Sequence, residues 1–135
     1  MIALDTNVLA RYLLGDDPAQ SRAARLLLED ENEEYFIPIT VTLELAWVLR
    51  SIAAPRAEVI ESLRRLLSLR NVRPQLAEAV FSALRWADGG MEIADAMHLA
   101  LCGRTERFLT FDRALVKQAS RAGAQPAVAV AQTPR

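Results

Sequence analysis

Four carboxylates in this chain stand where an acid is either useful or costly. Asp5 and Asp112 each follow a short apolar run, Ile2-Ala3-Leu4 and Phe108-Leu109-Thr110, that reads as a strand. Glu44 is the sole carboxylate between Ile37 and Ala57, and Val41, Leu43, Leu45, Ala46, Trp47, Val48 and Leu49 surround it. A helix that apolar is expected to be buried, where a carboxylate needs a cation or hydrogen bonds. Asp95 lies in Glu92-Ile93-Ala94-Asp95-Ala96-Met97-His98, with Glu92 and His98 each three positions away. Converging carboxylates repel one another, so a site that gathers them needs a divalent cation. Without the cation, at least one acid is held above its usual pKa. One Cys and one His leave no zinc-site spacing. Oxygen ligands point instead to Mg²⁺ or Mn²⁺.

Each acid also has an ordinary explanation. Asp5 and Asp112 are good helix N-caps. Glu44 has Arg50 or Arg11 as a salt-bridge partner. Glu92 and Asp95 are first-turn acids favoured by the helix dipole. Asp16 and Asp17 are accounted for by a turn and a cap.

The elements that must position these residues alternate between short apolar strands and helices. Ile2–Leu4 reads as a buried strand, and Asn7–Leu14 as a helix stopped by Gly15. Asp17 and Pro18 start a helix running to about Asp30. Strand Tyr35–Ile37 ends at Pro38. Helices follow at Thr40–Ile52 and from Pro55 to about Leu69, then a short strand at Asn71–Arg73. Gln75–Ala87 and Glu92–Gly103 are helical, separated by Gly89 and Gly90. Phe108–Thr110 is a strand, Asp112 caps a helix ending near Gly123, and Ala127–Val130 is a last strand. This order implies an α/β fold: a mainly parallel sheet of four to five strands with helices on both faces. Ligands of such sheets bind beyond the carboxyl ends of the strands.

Composition narrows the class. The 135 residues fit a single domain, and 52% hydrophobic content excludes a disordered chain. No stretch is long and apolar enough to span a membrane, and the N-terminal apolar run stops too soon for a signal peptide, so the cytoplasm is the expected location. A net charge of −1 excludes a generally basic nucleic-acid-binding surface.

At these residues the chain resembles the PIN-domain nucleases, and among them the VapC-type toxins of toxin–antitoxin pairs. Ile2-Ala3-Leu4-Asp5-Thr6-Asn7-Val8-Leu9 resembles the family's first motif. Thr42–Leu49 resembles the segment with the second acid, Ala94–Ala100 the third, and Leu109-Thr110-Phe111-Asp112 the fourth. The four occur in family order, and the similarity runs from about Met1 to Gly123. Glu92 stands where many relatives have Asp, and the last strand is rich in alanine. The resemblance implies a Rossmann-like single PIN domain over 1–135 and Mg²⁺- or Mn²⁺-dependent cleavage of RNA. It implies Asp5, Glu44, Asp95 and Asp112 as catalytic metal ligands, and Thr6, Asn7, Glu92 and Thr110 as supporting polar residues. It also implies a small antitoxin and a second copy of the chain as partners. Arg11, Arg113 and Lys117 are candidate contacts to RNA phosphates, being close in sequence to the acids. The alternative is a catalytically silent PIN-like module that binds RNA or protein. An aspartyl phosphatase is disfavoured because Asn7 stands where the second acid belongs, and a phosphoacceptor receiver lacks an acidic pair after its first strand.

Overall fold

The computed structural model describes residues 1–52 and 54–134. Among these are seven helices and five strands, and every strand pairing is parallel. The fold is therefore mixed α/β, as expected from the sequence. The chain divides into two compact units, Met1–Ala77 and Glu78–Arg135.

The first unit runs β1 (Ile2–Ala3), α1 (Thr6–Leu14), α2 (Pro18–Glu29), β2 (Tyr35–Ile37), α3 (Ile39–Ser51), α4 (Arg56–Leu67) and β3 (Val72–Pro74). Parallel strands need a long crossover, and here each crossover is a pair of helices. The strands lie in the order β1-β2-β3, with Ile2 opposite Tyr35 and Tyr35 opposite Val72. Tyr35 and Ile37 of the central strand are buried with Leu9, Leu45, Ile60, Leu63 and Leu66. Burial also pushes the Tyr35 phenol above its usual pKa, with Asp30 and Glu33 adding to the effect.

Local chemistry sets the element ends. Gly15 takes the left-handed conformation that closes α1, and its N–H donates to the Arg11 carbonyl. Asp17 caps α2 by accepting from the Gln20 N–H at 3.0 Å, with Pro18 in the first helical position. The buried Asn71 amide donates to the carbonyls of Leu28 and Asp30, tying the end of α2 to the start of β3.

The second unit holds α5 (Ala77–Asp88, starting at the boundary), α6 (Ile93–Ala100), β4 (Arg107–Thr110), α7 (Arg113–Ala122) and β5 (Ala127–Val130). Strands β4 and β5 pair from Arg107–Ala127 to Thr110–Val130, and α7 packs on both. Gly123 closes α7 in the left-handed conformation, as Gly15 closes α1.

One expectation is corrected. Ile2–Leu4 is not a buried strand: β1 is an edge strand, Ile2 and Ala3 are exposed, and only Leu4 is buried. Within the first unit β1, β2 and β3 pair with one another, and within the second β4 pairs with β5.

The α2 cap gives a direct test of this local reading. Asp17→Ala is expected to cost about 1 kcal/mol, whereas Asp17→Asn changes stability by a few tenths, because Asn caps as well as Asp. Urea denaturation at neutral pH checks both.

Candidate active site

Asp5 ends the turn out of β1 and is the N-cap of α1. Its backbone is extended, and its Oδ1 accepts from the Thr6 N–H at 2.7 Å. The ordinary capping role is therefore real, and the carboxylate is also exposed. Thr6 is buried, and its Oγ1 has no hydrogen-bond partner among the described residues. Asn7 is exposed and lines a groove of about 230 Å³ with Val8, Arg11, Gln20 and Leu27.

Glu44 stands on α3, which packs against α1. Here the structure corrects the expectation of an all-round buried helix. Thr42, Leu45, Ala46 and Leu49 form the buried stripe at helical spacing. Thr40, Glu44, Trp47 and Ser51 form the opposite, exposed stripe. Glu44 is thus an acid in water, and its position carries no burial cost. Arg11 is engaged elsewhere: its guanidinium pairs with Asp16 at 2.9 Å, and its Nε donates to Gln20. Thr42, which sequence reasoning did not single out, is fully buried with an unpartnered Oγ1.

Asp95 and Asp112 belong to the second unit. Asp112 is the N-cap of α7, and its Oδ1 accepts from the N–H groups of Ala114 (2.9 Å) and Leu115 (3.1 Å). Its own N–H donates to Thr110 Oγ1 at 3.0 Å, so Thr110 fixes the turn that presents the carboxylate. Asp95 sits in the first turn of α6, half-buried, with Glu92 at the cap position. Its carboxyl is held above the usual value, first by loss of hydration. His98 opposes the rise, while the negative charges of Asp112 and Glu92 add to it. Arg113 and Lys117 are exposed on α7.

The structure thus places two acids of the second unit, Glu92 and Asp112, within electrostatic reach of Asp95. Among the described residues, no three His, Cys, Asp or Glu side chains gather into a formed metal cage. The donor set nonetheless fits a hard divalent cation. It consists of carboxylates, it is exposed or half-exposed, and a cation would relieve the repulsion on Asp95.

Compared with known families, the chain matches the PIN domain over residues 2–120. It belongs to the PIN-domain family. The match takes in all four acids, Thr6, Asn7, Glu92 and Thr110. PIN domains are in general nucleases acting on nucleic acids, and they typically use divalent metals. No curated protein matches the chain. Among the described residues, no helix of this PIN domain is long and apolar enough to cross a membrane.

The raised Asp95 pKa has a stability consequence of definite sign. A carboxyl whose folded-state value lies above its ordinary 3.8 opposes folding when ionised. The deficit is absent below pH 3.8, grows as pH rises from there towards the raised value, and is full above it. Asp95→Asn is therefore expected to be more stable than wild type at pH 7, with the gap closing in strong acid. Denaturation curves of both proteins at the two pH values check this.

Proposed function

We propose that this PIN domain is a metal-dependent endoribonuclease with Asp5, Glu44, Asp95 and Asp112 as its catalytic acids. What carries the reading is that the family match spans four acids, each exposed or half-exposed on a helix or at its cap. Two of the four already have an ordered local setting. Asp5 and Asp112 are fixed by their caps through Oδ1, which leaves Oδ2 of each for another ligand. Asp95 carries an unfavourable charge that a cation would neutralise.

In this reading Asp5 and Asp95 would be the main residues to hold Mg²⁺ or Mn²⁺. The bound cation supplies a more acidic water and neutralises charge at phosphorus. Glu44, in solvent on α3, accepts the proton of the attacking water or takes part in a second cation site. Asp112 would help to hold a cation or orient a water. Thr110 positions Asp112, while Thr6, Asn7 and Glu92 support the neighbouring acids. Arg113 and Lys117 hold flanking phosphates. Arg11 is a weaker candidate for that role, because it already binds Asp16. In-line attack by water leaves a 5′-phosphate and a 3′-hydroxyl.

The resemblance to VapC-type toxins extends the proposal to a toxin restrained by a small antitoxin, working as a homodimer in the cytoplasm. An arginine inserted among the carboxylates would inhibit by displacing the cation.

The caps dictate how the acids should be tested. Asp5→Asn and Asp112→Asn remove the charge and keep the cap, so the fold is retained. Each is expected to lower metal-dependent RNA cleavage by roughly 100-fold or more, several kcal/mol of lost transition-state stabilisation. Asp112→Ala is expected to lose about 1 kcal/mol of stability as well. The assay compares Mg²⁺, Mn²⁺ and chelator, with mapped product ends. Products bearing 2′,3′-cyclic phosphate would overturn the water mechanism. A folded wild type that binds RNA but never cleaves it with either metal would leave a binding module.

A further inference from the structure

The chain has eight aromatic side chains: two Trp, two Tyr and four Phe. All are among the described residues, yet only two are exposed. Trp47 is 70% exposed and Phe111 is 72% exposed. Scattered exposed aliphatic residues are ordinary, and several occur here. The placement of the two rings is not ordinary. Trp47 lies three residues after Glu44 on the solvent stripe of α3, one turn along the same face. Phe111 directly precedes Asp112 in the turn that Thr110 fixes. Each unit therefore presents one bare ring, and each ring adjoins a candidate acid.

Carboxylates repel a phosphate backbone, so RNA must be held beside them by something other than charge alone. A ring does this by stacking on a base. Every base has a π-face, and the contact leaves the acids free. Paired bases are already stacked inside a helix, so such a platform takes an unpaired base. The exposed cations Arg113 and Lys117 follow Phe111 on α7, which suits a strand whose base lies on the ring and whose phosphates run over the helix.

We propose that Trp47 and Phe111 are stacking platforms, each holding an unpaired nucleobase of single-stranded RNA beside the candidate acid next to it, Glu44 for Trp47 and Asp112 for Phe111. The identity of the polymer rests on the nuclease reading above, while the stacking itself is measured without catalysis.

The test is binding of octauridylate in chelator, where no metal-dependent cleavage occurs. Trp86→Phe leaves Trp47 as the one tryptophan of the chain. Its fluorescence is expected to be quenched by the single-stranded RNA and not by the same RNA annealed to its complement. Trp47→Ala and Phe111→Ala are each expected to weaken binding about tenfold. Trp47→Phe and Phe111→Tyr, which keep a ring, should retain most of the affinity; this separates stacking from a folding defect. Absence of quenching, equal affinity of the alanine variants, or duplex binding with the same dependence on the rings overturns the proposal. So does sedimentation in which Trp47→Ala turns a dimer into a monomer with RNA affinity unchanged, because a second copy then covers α3. Cleavage with Mg²⁺ is scored separately. Ring-dependent binding without cleavage defeats the nuclease reading and keeps the platforms. Cleavage with ring-independent binding does the reverse.

Discussion

The local structure at Asp5 and Asp112 depends on a single constraint, the unsatisfied N–H groups at the start of a helix. Where a strand leads almost directly into a helix, no preceding turn supplies acceptors, and a side chain must do so. Asp5 meets this need for α1 and Asp112 for α7, each through Oδ1. A cap of this kind fixes the position of the carboxylate without enclosing it. The residue that makes the strand-to-helix turn possible is thereby held at the carboxyl end of its strand, where ligands of parallel sheets bind. Thr110 extends the arrangement by holding the backbone of Asp112 from the other side.

The other two acids are positioned by helix faces. In α3 the buried stripe is made by Thr42, Leu45, Ala46 and Leu49, so Glu44 and Trp47 are directed to solvent together. In α6 the buried Ile93, Ala96, Met97 and Leu99 leave Asp95 half-buried between water and protein. That intermediate setting removes part of its hydration and sets it against Asp112 and Glu92.

Much of this was legible in the sequence. The stops at Gly15 and Gly123, the Asp17-Pro18 start and the cap at Asp112 rest on local backbone rules, and the helices and strands fall where those rules put them. The raised Asp95 pKa was foreseeable from the gathering of acids, although loss of hydration leads the shift. Burial was less legible. The apolar look of α3 hid which side faced the core, because residue type alone does not distinguish a half-buried Val48 from a fully buried Leu49. For the same reason Ile2 read as core, although β1 has one neighbour strand and lies at a sheet edge. Trp47 carried a signal in its spacing from Glu44, but its exposure depends on packing that the pattern does not encode.

The double duty of the capping aspartates also shapes how such a protein can change over generations. Alanine at position 5 or 112 removes the carboxylate and weakens a helix start at once, so that route is penalised even in a lineage no longer selected for activity. Asparagine, serine and threonine retain an acceptor for the helix while abolishing the charge. Decay of the activity would therefore tend to leave a polar residue at both junctions, and a descendant with an intact fold and Asn in these places would bear the trace of a lost chemistry.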